Sequence, residues 1–408
     1  MKLRDKIKTK FIPYRNIVIA SALAYLKTFY KKPKIHFEKS YTGERILILA
    51  LYEKGHLRPN IINLLNVAKK AGVYIIAVNT QRCVKPKNLQ SIIDCYIERP
   101  NFGQDFGSYK TAYTHIYKRG WDKHCPRLLM LNDSIFYSKK NLGFFIHQMF
   151  HTTTEVLGAT ENHEKGYHLG SFCISLDNSI LQHPNFKRFW SNYKKTNIRP
   201  EVIEKGEKKL TKTLHKCISS ETQLTALFNL SWLIKYIEQH PDILNTITEY
   251  YTESNHLGWQ PASLITATES LKNKYVYTSS STKIDNIPCY FLDTPETTVA
   301  AIKAESKSFD VKNIETRIQQ EIKNNLFNCF TVGSQIHQNA ILLHHLGLPI
   351  VKLDLYYRGA MTTLDVEKIT RQLDESQKDE FRQLIFLRPY GETALCGWKH
   401  SAFIHGWL

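Results

Sequence analysis

Residues 98–137 (ERPNFGQDFGSYKTAYTHIYKRGWDKHCPRLLMLNDSIFY) constrain the fold more than any other stretch of this chain. They open on a loop holding Asn101, Gly103, Asp105 and Gly107. A helical run follows at 108–117, then an apolar strand at 128–131 that closes on Asn132-Asp133-Ser134. Glycine tolerates positive φ and lets backbone or ligand approach closely. An acid at the end of a buried strand is costly unless a partner meets it. Gly-rich loop, helix and strand-end acid in this order make one half of a nucleotide-binding α/β crevice.

The flanking sequence supplies more of the same architecture. The run 46–51 (ILILAL) is buried-strand material, 57–71 places Ile61, Leu64, Leu65 and Ala68 on one helical face before Gly72, and 73–78 (VYIIAV) is a second strand. Strand, helix and strand imply a parallel pair with a right-handed crossover. Further strands are expected at 92–97, 155–160 and 167–176. Helices are expected at 142–150, over Phe186, Phe189, Trp190 and Tyr193, at 221–230 behind the Ser220-x-x-Gln223 capping box, at 335–346 before Gly347, and within 364–385. A strand is expected at 350–353, and 251–300 is polar and loop-rich. The expected fold is α/β, a Rossmann-like mixed sheet flanked by helices. It divides into an N-terminal arm (1–40), a sheet domain (41–300) and a mainly helical C-terminal region (301–408).

Charge narrows the partners. Lys and Arg number 55 against 37 Asp and Glu, a net of +18. Residues 1–35 hold ten of those cations and one acid, Asp5, so half the excess sits in one arm. Ile17, Val18, Ile19, Leu23 and Leu26 lie between its two basic clusters. A basic segment with an apolar centre suits an anionic membrane surface; the alternative is a solvated arm whose apolar part packs on the domain. With the charge so concentrated and no nucleic-acid-binding signature, nucleic acid is not expected as a partner. The eight cysteines form no CxxC pair, so reduced thiols in a cytoplasmic protein are expected, and no stretch is apolar enough to span a membrane.

A GT-A glycosyltransferase needs this kind of crevice, with backbone approaching a nucleotide-sugar and an acid meeting the metal on its diphosphate. Asp133 is the candidate ligand of a divalent metal, Mg²⁺ or Mn²⁺, in place of a local turn contact. Asp105 suits ribose hydroxyls or a helix cap, Lys110 a phosphate or solvent, and Asn79, ending the second strand, a base or ribose or a turn. His163 and His168 each suit a metal, an acceptor sugar or a structural role. Glu201, Glu204 and Glu207 recur every three residues. A carboxylate there could take the proton from an acceptor hydroxyl in an inverting transfer, or belong to a solvated face balanced by Lys205, Lys208 and Lys209. The spacing leaves Glu204 and Glu207 both open as that base, with Asp177 the next carboxylate.

NFGQDFGSYKTA with LLMLNDSIF resembles the nucleotide-sugar region of the rhamnan synthesis F family, bacterial transferases that build rhamnose-containing surface polysaccharides. HLGSFCISL (168–176), RPEVIEKGEKKLTKTL (199–214) and QIHQNAILLHHLGLPIVK (335–352) resemble its later blocks. The resemblance implies a GT-A-like fold and a nucleotide-sugar donor. It also implies a lipid-linked or polysaccharide acceptor at the inner face of the cytoplasmic membrane, where the protein would be peripheral. By position it marks Asn101, Gly103, Asp105, Gly107, Asn132, Asp133 and Ser134 on the donor side, Ser171 and His337 on the acceptor side, and Glu207, which the resemblance thereby makes the preferred base with Glu204 the second choice. Asn132-Asp133-Ser134 carries one acid where many GT-A enzymes carry two. A non-catalytic, transferase-like module that binds membrane or polysaccharide is therefore the rival reading.

Overall fold

A computed structural model describes residues 7–164, 166–250, 320, 322–324, 326–328 and 330–408. The expectations for 251–300 lie outside these residues. In chain order the strands are β1 (Lys34–Glu38), β2 (Ile46–Leu51), β3 (Tyr74–Asn79), β4 (Cys95–Glu98), β5 (Arg127–Asn132), β6 (Ile135–Tyr137), β7 (Val156–Asn162), β8 (His168–Leu169), β9 (Cys173–Asp177), β10 (Leu224–Phe228) and β11 (Ile350–Lys352). The main sheet has the order β1-β4-β3-β2-β5-β9-β7-β10, with β8 attached to β7. Strands β4, β3, β2 and β5 run parallel, and β1 and β9 are antiparallel to their neighbours. β6 and β11 form a separate antiparallel ribbon.

The central strands read as unbroken apolar runs because helices cover both faces of the sheet. Leu47, Leu49, Ile75, Ala77, Leu129 and Leu131 face one core, while Ile46, Ile48, Ile76, Val78, Leu128 and Met130 face the other. The helices that matter here are α1 (Ile12–Thr28), α2 (Pro59–Lys70), α3 (Gln104–Arg119), α4 (Leu142–Phe150), α5 (Pro184–Asn192), α6 (Leu230–Gln239), α7 (Thr363–Gln372), α8 (Glu375–Phe386) and α9 (Gly397–Ile404). α2 buries Ile61, Leu64, Leu65 and Ala68 beside Phe145, Ile146 and Met149 of α4 on the first face. α3 and α5 cover the second with Phe106, Tyr109, Tyr113, Phe186 and Trp190. The mixed sheet flanked by helices, followed by a helical C-terminal region, is the architecture the sequence predicts. The helical region is fastened to the sheet: Gln377 on α8 donates to the Tyr137 carbonyl at 2.9 Å, and Glu380 accepts from the Asn60 amide at 2.7 Å.

Four local expectations change. α3 begins at Gln104 rather than at 108, because Gly103 (φ 96°) and Gln104 (φ 47°) turn the chain into the helix and take Asp105 and Gly107 into its first turn. The expected helix at 221–230 is a short turn, Glu221–Gln223, then β10. Leu224, Ala226 and Phe228 alternate inward there, and parallel pairing with β7 overrides the capping signal. The expected strand 167–176 is divided into β8 and β9 by a turn at Gly170, where a Cβ would sit 2.4 Å from the Phe172 ring. The helix 335–346 breaks at Asn339 into Gln335–Gln338 and Ala340–His345.

The sheet starts at Lys34, ahead of Tyr41, through β1. α1 docks by one stripe: Ile17 packs with Ile198 and Ala402, and Tyr14 meets Trp407 edge-on at 5.4 Å. Val18, Ile19, Leu23 and Leu26 stay exposed on its other sides, as do Phe29 and Tyr30 just past its end. No helix among the described residues is long and apolar enough to cross a membrane.

Candidate functional site

The crevice lies where strand order reverses. β2 has β3 on one side and β5 on the other, so the chain leaves β2 in two directions and opens a gap at the carboxyl ends of β2 and β5. Asp133 sits in that gap. Its backbone N–H donates to the Ala50 carbonyl at 3.1 Å, and its Oδ2 accepts from the Tyr52 N–H. Arg58 donates to the Asp133 carbonyl at 2.6 Å, stands 4.0 Å from Oδ2, and also holds Glu53. Burial and the nearby Asp105 charge push the Asp133 carboxyl up to about 8, against the Tyr52 N–H and Arg58. Burial likewise raises Glu53, with Arg58 opposing.

From Asp133 a polar chain crosses the crevice. Asn132 Nδ2 donates to Asp105 at 2.7 Å, Ser134 Oγ donates to Asn132 Oδ1 at 2.8 Å, and Lys352 Nζ donates to Ser134 Oγ at 3.0 Å. Pairing of β11 with β6 sets Lys352 opposite Ile135, which brings the lysine in from the C-terminal region. Its ammonium also lies over the Phe172 ring, 4.9 Å from the centroid. Burial raises Asp105, and Lys352 and Arg99 pull it back.

Glu207 faces this chain from the far wall. Residues Ile203–Lys208 form a π-helical turn between Arg199–Val202 and Lys209–Leu214. Such turns are frequent at functional sites. Gly206 lets the turn close on Phe106, 3.1 Å from where a Cβ would stand. Glu207 Oε1 accepts from Ser171 Oγ at 3.0 Å, and Oε2 lies 3.6 Å from His168 Nε2. Burial alone would raise Glu207, but His168, Lys352 and Ser171 hold it below the usual range and therefore ionised. Burial works against the His168 cation, yet Glu207 raises it. Glu204 points away, exposed and bonded to Lys208 at 2.6 Å. His337 lies along the same wall, 2.8 Å from Ser334 Oγ and 3.7 Å from Asp354, which Arg358 binds in turn.

The structure thus unites Asp105, Asn132, Asp133, Ser134, His168, Ser171 and Glu207, with His337 linked through Asp354. It sets the other sequence candidates apart. Asn79 is fully buried and its amide is used on Glu53, Gln81, Tyr96 and Cys83. Lys110 donates to the Ser191 and Tyr193 carbonyls at 2.9 and 2.7 Å, fastening α3 to α5. Asn101 is exposed. Gly103 and Gly107 serve the loop itself: a Cβ on Gly103 would meet Lys195 at 2.8 Å, and one on Gly107 the Phe102 carbonyl at 2.9 Å. Asp177, the third carboxylate choice, caps the helix Asn178–Gln182 and lies 3.5 Å from Arg127.

Sequence reasoning missed Lys352, Arg58, Glu53, Asp354 and Arg99. Glu53 was findable, since it follows β2 on the ligand-binding edge. Arg99 was not, because its role is tertiary. It is buried and donates to Ser108 Oγ and to the carbonyls of Pro100, Phe102 and Gln104, so the Gly-rich loop is wrapped around a guanidinium. Among the described residues, three ligand atoms of His, Cys or acid converge within 4.8 Å at Glu38, Cys95 and His115, and no such trio forms at Asp133.

Solved structures similar to this chain include the glycosyltransferase GlyE of Streptococcus pneumoniae, at 11% identity and a TM-score of 0.25 over 50% of this chain and 51% of that one. The mannosyltransferase Ktr4p of S. cerevisiae is similar at 10% identity and a TM-score of 0.24, over 47% of this chain and 71% of that one. Residues 73–221 match the family model of RgpF, rhamnan synthesis protein F, which bears out the resemblance over that stretch. The matched stretch includes Asp105, Asp133, Ser171 and Glu207 and stops short of Lys352 and His337. The uncharacterized protein y4gN of Sinorhizobium fredii is 24% identical over 179 residues. That match covers 43% of this chain and 46% of the relative, so the chain spans about half the length of the curated protein it matches.

Proposed function

We propose that this chain is a GT-A-like glycosyltransferase of surface-polysaccharide synthesis, transferring a sugar from a nucleotide-sugar to a polysaccharide or lipid-linked acceptor with inversion. The observation that carries the reading is the crevice at the reversal of strand order. Asp105, Asn132, Asp133, Ser134 and Lys352 lie on one side of it and an ionised Glu207 on the other, and all of these but Lys352 fall within the stretch matching rhamnan synthesis protein F. Rhamnose is the donor sugar this match suggests.

In this reading the diphosphate lies between Lys352 and Arg58, which oppose the charge that builds as the sugar–phosphate bond breaks. The acceptor hydroxyl sits against Glu207. Its oxygen forms the new bond to the anomeric carbon while its proton passes to the Glu207 carboxylate. Ser171 and His168 fix that carboxylate and keep it ionised beforehand. The site also fits a divalent metal: Asp133 and Asp105 are hard oxygen donors, both pushed toward protonation by burial, which a cation would reverse. With no third protein ligand converging there among the described residues, donor phosphates would complete the shell. The metal would supply further neutralisation of the leaving diphosphate.

A thermal-shift panel of UDP-, GDP-, dTDP- and CMP-sugars, with and without Mn²⁺, tests this. One nucleotide class is expected to stabilise the wild type and to lose its effect in Lys352→Ala. No shift with any donor would remove the reading.

We further propose that α1 holds the protein on the inner, anionic face of the cytoplasmic membrane. Its exposed Val18, Leu23 and Leu26, with Phe29 and Tyr30 just past its end, are interspersed with Lys27, Lys31 and Lys32. Reversing those three lysines to Glu leaves the Ile17 contact intact. At about 1 kcal/mol per basic residue near the surface, it should weaken sedimentation with anionic vesicles by about a hundredfold or more. Unchanged pelleting at low salt would remove this placement.

A further inference from the structure

A second concave site lies at the other end of α3. Asp105 is in the first turn of that helix and Lys118 in its last, about 20 Å apart at the rise of an α-helix. Two adjoining cavities of 300 and 780 Å³ open between the end of α3 and α5, sharing Tyr117, Lys118, Lys187 and Ser191. Their size is that of a small-ligand cleft. The lining is cationic: Lys118, Arg119, Lys123, Lys187 and Arg188 against one acid, Asp122.

That acid is already used, since the buried Asp122 binds Lys187 at 2.7 Å, and Lys187 also lies over the Tyr117 ring. Arg119 is used too, at 2.8 Å from Glu38. Lys118, Lys123 and Arg188 have no carboxylate within 4.0 Å among the described residues, and all three are exposed. Three unneutralised cations around one hollow repel one another, and an oxyanion between them removes that repulsion. Lysine ammonium and arginine guanidinium are the side chains that bind phosphate oxygens. The same walls carry Thr114 and Ser191, whose hydroxyls donate to the Lys110 and Arg188 carbonyls and whose oxygens are left to accept from a sugar hydroxyl, beside the Tyr117 ring, one face of which Lys187 covers.

We propose that this cleft is a second binding site, separate from the crevice, for the phosphate group of a phosphorylated saccharide. It would hold a phosphate-bearing glycan away from the bond being made. Cations exposed and free of partners can be replaced without disturbing the core, so Lys118→Ala/Lys123→Ala/Arg188→Ala is a clean variant.

Calorimetric titration of the full chain with a sugar 1-phosphate and with a phosphodiester-linked glycan tests the site, with a single-stranded oligonucleotide as the rival polyanion. The triple variant is expected to bind the saccharide probes at least about tenfold more weakly than the wild type. Lys352→Ala, in the crevice, should bind them as the wild type does. Tighter binding of the glycan than of the sugar 1-phosphate would identify the polymer as the source; equal binding would identify the free sugar phosphate. Undiminished binding in the triple variant, loss in Lys352→Ala instead, or binding of the oligonucleotide alone would overturn the proposal. Nucleotide-sugar stabilisation read on the same variants depends on the crevice only, so failure here leaves the transfer reading standing.

Discussion

Asp133→Asn is expected to lower sugar transfer by about 10²–10³-fold or more while the protein stays folded. The amide can still accept from the Tyr52 N–H, so the local turn survives, but the carboxyl that a metal would ionise is gone. Stability supplies a second readout. Burial pushes the folded carboxyl up to about 8 from an ordinary 3.8, so the folded state keeps its proton over a range in which the unfolded chain has lost it. The stability this contributes is full below the unfolded value and is lost as pH rises through the folded one. Wild type should therefore lose stability relative to Asp133→Asn between pH 4 and pH 8. A difference that stays flat across this range would show that Asp133 is not held as described, and near-normal turnover would end its role in the crevice.

Glu207→Gln carries the other large effect. A general base contributes about 10²–10⁴-fold in rate, so turnover should fall by that order while donor affinity stays nearly unchanged. The amide keeps the Ser171 contact but cannot take the proton. Glu204→Gln is the internal control: exposed and tied to Lys208, it should turn over normally. His168→Gln should leave the base in place but release it from its raised partner. Folded Glu207 lies below its ordinary value, so the acid limb of the pH–rate profile should move up in that variant. If Glu207→Gln is fully active, the base lies elsewhere and the inverting mechanism is withdrawn.

Much of this was readable in the sequence because the central strands are two-sided. ILILAL, YIIAV and LLML are unbroken apolar runs, and each ends where the sheet presents ligands. Asp133 could be placed from its strand alone. Spacing alone does not separate Glu207 from Glu204; the family resemblance favours Glu207, and the π turn at Ile203–Lys208 shows physically why that carboxylate turns inward. β10 was hidden behind Ser220-x-x-Gln223, a helix-start pattern that the neighbouring β7 overrode. Lys352 was hidden by distance in sequence. It reaches Ser134 only because β11 pairs with β6, a contact that no local pattern announces. Asn79 and Lys110 stand at positions that suit a ligand, yet their polar atoms are engaged with the protein itself.

The most direct measurement is incorporation of labelled sugar from a nucleotide-sugar panel into the polysaccharide and glycolipid fraction of a membrane extract, with purified protein added. Wild type should incorporate label from one donor. Asp133→Asn and Glu207→Gln should remain at the level without protein, and Glu204→Gln should match wild type. Label at the no-protein level with every donor, or equal incorporation by wild type and Asp133→Asn, would contradict the assignment of this crevice as the site of transfer.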